Sequence, residues 1–185
     1  GSIYGNTGYI DNIHENDGSD VITNDYLSSP NFSHSAKNYK IVSALNPSKV
    51  LALACTSSGC LAANHDNIHL WDYVGDISQI FGIGTDTVQN NQVYYRFYTK
   101  INRAVIDVDG NSSIDETNVQ IYEKNNSDSQ RFYLENAGNG YYYIKHKTSG
   151  KCLDVDGAAT ANGTNIQIYT CNQSNAQKWQ FIEVS

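Results

Sequence analysis

The sequence has no methionine, only two prolines, and few arginines: of its twelve basic residues, only Arg96, Arg103 and Arg131 are arginine. Each shortage excludes something. A phosphate-binding surface needs clustered positive charge. With a net charge of −7 the chain has none to offer, so nucleic acid is not an expected partner. No apolar run approaches the roughly 20 residues that cross a bilayer, and no signal-peptide pattern is read at the start. The missing methionine leads to the expectation of a processed or excised piece of a larger protein, with Gly1-Ser2 as a cloning scar. Ser-His-Asp, Walker and dinucleotide motifs are absent as well, so no cofactor is expected. What is present instead is 14 tyrosines and 14 glycines in 185 residues, a composition that suits one core of short strands and many turns.

The chain repeats itself. A shift of 47 residues lays AVIDVDG from 104 over KCLDVDG from 151, and NVQIYEKNNSDSQRF from 118 over NIQIYTCNQSNAQKW from 165. A third copy begins at Tyr39, where YKIVSALNPSKVLAL matches YYYIKHKTSGKCLDV. It resumes as NIHLWDYVGDISQIF at 67 after a connection four residues longer than in the other copies. A fixed period of this size marks units that bury their apolar faces only against one another. The units are 39–90, 94–136 and 141–185, within a domain expected to span 37–185. Residues 1–36 carry five acids and no lysine or arginine. They read as a solvated linker, or alternatively as an arm docked through Tyr4, Tyr9, Ile10, Ile13 and Tyr26.

Inside each unit the apolar period is two, which predicts strands. Leu153 and Val155 share one face of CLDVDG, with Cys152, Asp154 and Asp156 on the other. In NIQIYTC, Ile166 and Ile168 oppose Gln167, Tyr169 and Cys171. The second unit repeats the inward set as Ile106, Val108, Val119 and Ile121. Three such hairpin-rich units are expected to close into an all-β barrel with pseudo-threefold symmetry, the β-trefoil. Asp109 and Asp156 immediately precede Gly110 and Gly157 and read as turn residues.

Each unit ends in Gln-x-aromatic: Gln79-Ile80-Phe81, Gln130-Arg131-Phe132 and Gln177-Lys178-Trp179. Together with CLDV, the IQIY strand and the cysteine after it, residues 39–185 resemble the ricin-B-type (R-type) lectins. They are also similar to the family-thirteen carbohydrate-binding modules of bacterial glycosidases. The resemblance implies that Phe81, Phe132 and Trp179 fill the barrel base. It also implies a disulfide between Cys152 and Cys171, and hence an oxidising, secreted setting.

A sugar is held by acceptors and amides for its hydroxyls and by an aromatic face for its C–H surface. Strand parity aims Asp154, Gln167 and Tyr169 outward together in the third unit, and Asp107, Gln120 and Tyr122 in the second. The resemblance assigns these positions to sugar and adds Asn125 and Asn172, together with the closing Gln130 and Gln177. Many relatives place Asn before that glutamine; Ser129 and Ala176 stand there instead, a departure that bears on which sugar is bound. The first unit keeps Leu51, Leu53 and Trp71 but has Ala52 and Ala54 for the aspartates and His69 for the glutamine. The expected partner is therefore a glycan, galactose-type first, bound by units two and three. The domain would target an attached enzyme or toxin, or act as an agglutinin.

Two other functions remain open on the residues alone. Asp107/Asp109 and Asp154/Asp156 are same-face carboxylates roughly 7 Å apart on an extended strand, within the spacing of inverting glycosidases. A protein-binding trefoil using the acidic arm is the other. Cys55 and Cys60 flank TSSG and read as a small local disulfide. With His65 and His69 they also spell C-x4-C-x4-H-x3-H, four residues of zinc-ligand type.

Overall fold

The computed structural model describes residues 37–54 and 62–185. The expectations for residues 1–36, and for a bond or a metal at Cys55 and Cys60, lie outside them. The described chain forms twelve strands. The first unit holds β1 (Asn38–Ser43), β2 (Lys49–Leu53), β3 (Ile68–Asp72) and β4 (Phe81–Gln89). The second holds β5 (Gln92–Thr99), β6 (Val105–Val108), β7 (Thr117–Tyr122) and β8 (Phe132–Gly138). The third holds β9 (Tyr141–His146), β10 (Cys152–Val155), β11 (Thr164–Tyr169) and β12 (Trp179–Val184).

The outer strands of each unit pair in a closed circuit, β1–β4–β5–β8–β9–β12 and back to β1. Closure leaves this six-stranded barrel without an edge to protect. The inner pairs β2–β3, β6–β7 and β10–β11 are hairpins, joined to one another through β11–β3, β11–β7 and an Asn67–Gln120 bridge. This is a β-trefoil, all-β as the period-two pattern predicts. The inward residues Leu51, Leu53, Ile106, Val108, Val119, Ile121, Leu153, Val155, Ile166 and Ile168 are all buried, as are Phe81, Phe132 and Trp179. The indole N–H of Trp179 donates to the Leu153 carbonyl at 3.0 Å, so the ring's one polar atom is satisfied.

The units are tied to one another by equivalent residues. Asn67 Nδ2 donates to Asn165 Oδ1 (2.8 Å), and Asn165 Nδ2 donates to Asn118 Oδ1 (3.0 Å), an open chain of three amides that leaves the buried Asn67 Oδ1 unpaired. Two residues before each asparagine stand His65, Glu116 and Gly163, all left-handed with φ of 72°, 68° and 87°. Their N–H groups donate to Ile121, Ile168 and Leu70 respectively, so each unit's inner loop docks on the neighbouring unit's third strand. Lys49 reaches Asn162 (2.7 Å) in the same sense that Lys151 reaches Asp115.

One polar cluster, without a counterpart in the other repeats among the described residues, joins the last strand of the first unit to the second unit. The β4–β5 register shifts between Thr85 and Thr87, and such an irregularity re-aims the side chain at its centre. That side chain, Asp86, meets the fully buried Arg96 (Nε, 2.6 Å) and Arg131 (Nε, 2.6 Å). Burial alone would raise the Asp86 pKa, but the two guanidiniums outweigh it and hold the carboxyl below its usual range.

His146 on β9 is fully buried beside Phe132, its Nδ1 3.0 Å from Ser149 Oγ and its Nε2 without a partner. Burial lowers its pKa to about 4, with Asp128 opposing the shift. The unfolded chain therefore takes up a proton near pH 6.5 that the folded chain refuses. Stability from this residue is complete above about pH 6.5 and is lost as pH falls toward about 4, by an amount on the order of 3 kcal/mol. Urea unfolding across that window is expected to show the loss, with a shallower slope in His146→Gln.

Candidate functional site

The register of each inner hairpin sets the candidate site directly. Asp107 pairs with Gln120 across β6–β7, and Asp154 with Gln167 across β10–β11. The same place in β2–β3 is Ala52 opposite His69. Directly opposed side chains on one face meet, and these do. Gln120 Nε2 lies 3.4 Å from Asp107 Oδ1 and 3.2 Å from Asp109 Oδ1, while Gln167 Nε2 donates to Asp154 Oδ1 at 3.1 Å. Tyr122 and Tyr169 stand two residues beyond each glutamine, half-buried at the rim.

The polar faces are less open than strand parity alone implies. Asp107 and Asp154 are 5% and 6% exposed, and Gln120 and Gln167 are equally covered. The cause is the short helical turn before each closing aromatic, Asp128–Gln130 and Asn175–Gln177, which folds back over the hairpin. In the second unit Ser129 Oγ donates to Asp107 Oδ2 at 2.8 Å. In the third, where Ala176 stands in that place, Gln177 Nε2 donates to Asp154 Oδ2 at 2.9 Å instead. Each carboxylate thus has one protein donor on each oxygen and keeps further lone pairs for a ligand. Burial raises the Asp154 pKa, with Gln167 and Gln177 opposing and Asp156 and Asp115 adding to it.

Gln130 and Gln177 require a correction. Both are completely buried, so neither is a surface on which a sugar can rest. Gln130 Oε1 accepts from the Asn125 N–H (2.9 Å) and its Nε2 donates to the Glu123 carbonyl (2.9 Å). Gln177 makes the same two bonds to Asn172 N (2.8 Å) and Thr170 O (3.1 Å), and Gln79 makes them to Val74 N (2.9 Å) and Asp72 O (2.7 Å). Their first duty is to clamp the loop after the third strand in all three units. Asn125 and Asn172 lie exposed in that loop, their Oδ1 atoms accepting from Ser127 N (2.8 Å) and Ser174 N (3.0 Å).

Asp109 and Asp156 begin one-turn helices whose central Gly110 and Gly157 have φ of 59° and 58°, the turn role their place in the sequence implies. Cys152 and Cys171 are joined, with Cα atoms 5.2 Å apart, across the foot of the third unit's hairpin. Val105 and Lys124 occupy the matching places in the second unit. There Arg96 holds the loop instead, donating to Gln130 Oε1 (2.8 Å) and to the Asn125 carbonyl (2.5 Å). In the first unit His69 stacks on the exposed Trp71 at 5.0 Å, and burial lowers the histidine's pKa. Among the described residues no group of three His, Cys, Asp or Glu side chains comes together to hold a metal. His65 goes elsewhere, to Gln120 and Tyr122 of the second unit.

The residues that sequence reasoning leaves out of the site are Arg96, Asp86, Ser129 as a partner of Asp107, and His65 as a neighbour of Gln120. Two of these carried a visible signal: Ser129 departs from the residue expected before the closing glutamine, and His65 aligns with Gly163, a residue type suited to a left-handed position next to another strand. The clamp yields a test. Gln177→Ala and Gln79→Ala each leave a partly buried backbone N–H and C=O without their side-chain partner, and each is expected to cost about 1–3 kcal/mol in denaturant unfolding. The two losses should be similar even though only Gln177 touches a site carboxylate.

Residues 128–185 match the family described as ricin-type beta-trefoil lectin domain-like. No curated protein matches the chain's sequence. The designed threefold-symmetric protein ThreeFoil superposes with a TM-score of 0.70 at 27% identity, covering 80% of this chain and 99% of its own. An exo-β-1,3-galactanase from Clostridium thermocellum gives 0.69 at 24% identity over 81% of this chain, but only 30% of the galactanase is covered. The C-half of an earthworm R-type lectin, in complex with GalNAc, gives 0.56 at 19% identity, covering 80% and 99%. The described chain is thus a β-trefoil, and its residues 128–185, the third unit with the closing turn and last strand of the second, carry the ricin-type β-trefoil lectin-like pattern.

Proposed function

We propose that this chain binds glycans through two shallow sites, at Asp107–Gln120–Tyr122 and Asp154–Gln167–Tyr169, with galactose-type sugars as ligands. The observation that carries the reading is the state of the two carboxylates. Asp107 and Asp154 are nearly buried and their partners are amides and a hydroxyl, not cations. A buried negative charge without a counter-ion favours a ligand rich in donors, and vicinal hydroxyls beside a half-exposed tyrosine ring fit that requirement. The presence of GalNAc in the earthworm lectin and the specificity of the galactanase support the galactose class. Each site alone binds weakly, and two on one molecule gain avidity on a glycan-rich surface. The domain docks an attached enzyme or toxin, or acts as an agglutinin. The Cys152–Cys171 disulfide supports a secreted protein.

Binding is favoured over hydrolysis by the place of Gln120. Its Nε2 lies between Asp107 and Asp109 and reaches both, where an inverting glycosidase keeps room for water. A glycan array followed by calorimetry tests the proposal. Asp107→Ala with Asp154→Ala is expected to abolish binding, and each single substitution to weaken its own site about 10- to 100-fold. Retained binding in the double variant would refute it. The raised pKa of Asp154 adds a sign: on acidification the third unit's site loses its carboxylate before an ordinary aspartate would, and its binding weakens there.

A further inference from the structure

Each site borders a loop that belongs to a different unit. At the second site that loop is residues 63–66 of the first unit, and it is well held. His65 N donates to the Ile121 carbonyl (2.9 Å), Ile121 N donates to the Asp66 carbonyl (2.9 Å), and Glu123 N donates to Asn64 Oδ1 (2.7 Å). His65, exposed like Ala63 and Asn64, brings its ring edge-on to Tyr122 with centroids 5.1 Å apart, and sets Nδ1 3.3 Å from Gln120 Oε1.

The carboxylates decide how that contact is made. Asp107 and Asp109 both take the Nε2 end of Gln120, so the amide cannot turn over without placing its oxygen against two carboxylates. Gln120 Oε1 therefore faces His65 as an acceptor, and the imidazole must present Nδ1–H to it. A neutral imidazole with its proton on Nδ1 carries a lone pair on Nε2. The run Asp107–Gln120–His65 thereby extends the acceptor character of the site from the carboxylates to a ring nitrogen contributed by the neighbouring unit.

We propose that His65 is a specificity-determining residue of the second unit's sugar site, accepting a hydroxyl of a galactoside at Nε2. The proposal rests on the glycan-binding reading above. It also makes the two sites unlike. The positions matching His65 are Glu116, beside the third unit's site, and Gly163, beside Trp71 of the first. Neither supplies an imidazole, so Gln167 Oε1 has no such donor from Glu116. The chain is then a lectin with two non-identical sites, which discriminate between ligands that differ in one hydroxyl.

The test uses the full chain with the third site silenced by Asp154→Asn, titrated calorimetrically with methyl β-galactoside and its mono-deoxy analogues. His65→Gly reproduces the residue at 163, and His65→Asn keeps a type tolerant of the left-handed backbone. Both are expected to weaken the parent galactoside about three- to tenfold. They should also erase the penalty for one deoxy analogue while leaving the other penalties in place. With Asp107→Asn silencing the second site instead, His65→Gly should leave binding unchanged. Two-bond proton–nitrogen spectra of the unaltered protein should show the Nδ1–H tautomer of His65. An unchanged affinity and deoxy profile, an equal loss at both sites, or an Nε2–H tautomer would each overturn the proposal. If the unaltered protein ignores the galactoside, the glycan-binding reading falls with it. If it binds, and Asp107→Asn removes binding that His65→Gly does not alter, only the role of His65 falls.

Discussion

A primary amide carries one acceptor and one donor on a rigid plane, and three glutamines use both ends in the same way. Gln79, Gln130 and Gln177 each accept from a backbone N–H five residues upstream and donate to a carbonyl seven upstream. All three are buried, and each lies two residues before an aromatic ring that fills the barrel. Loop and core are thereby fastened at one point: the amide holds the loop closed, and the ring two residues on fills the barrel. The turn that contains the glutamine then lies over the hairpin, and this is what buries Asp107 and Asp154. The electrostatic state of the candidate sites follows from a packing requirement.

The three units form an internal comparison of what that clamp needs. The first keeps the glutamine and the aromatic but has Ala52 where the others have aspartate, and its hairpin is formed all the same. The carboxylates are dispensable to the fold. The second and third keep them but steady the loop differently, the second with the buried Arg96–Asp86 pair and the third with the Cys152–Cys171 bond. One is a charge-assisted contact and the other a covalent link, so the two loops respond to different perturbations of solvent and redox state.

Much of this was legible in the sequence, for a physical reason. Strand parity and a 47-residue offset are properties of the chain itself, so the inward set around Leu153 and Val155, the aromatic plugs and the Asp–Gln–Tyr groupings could all be read. Burial of the polar face could not, because it depends on a turn folding back from 22 or 23 residues further on. The glutamines Gln130 and Gln177 illustrate the gap: in sequence they look like members of the site, and in space they lie behind it. Contacts between units were the hardest to see. His65 faces Gln120 only because consecutive hairpins wind around a common axis, and no spacing along the chain records that. The expectations for residues 1–36 and for Cys55 and Cys60 are not addressed by the described structure.

The docking of each inner loop on its neighbour has a further meaning. His65, Glu116 and Gly163 hand their N–H groups around the axis in one direction, from the first unit to the second, the second to the third, and the third back to the first. The segment that repeats along the chain and the segment that surrounds a candidate site are therefore not the same piece. The second and third units each carry their own carboxylate, amide and tyrosine, yet one wall of each candidate site arrives with the unit before it. A single repeat cut out of the ring would keep its own hairpin residues and lose that wall.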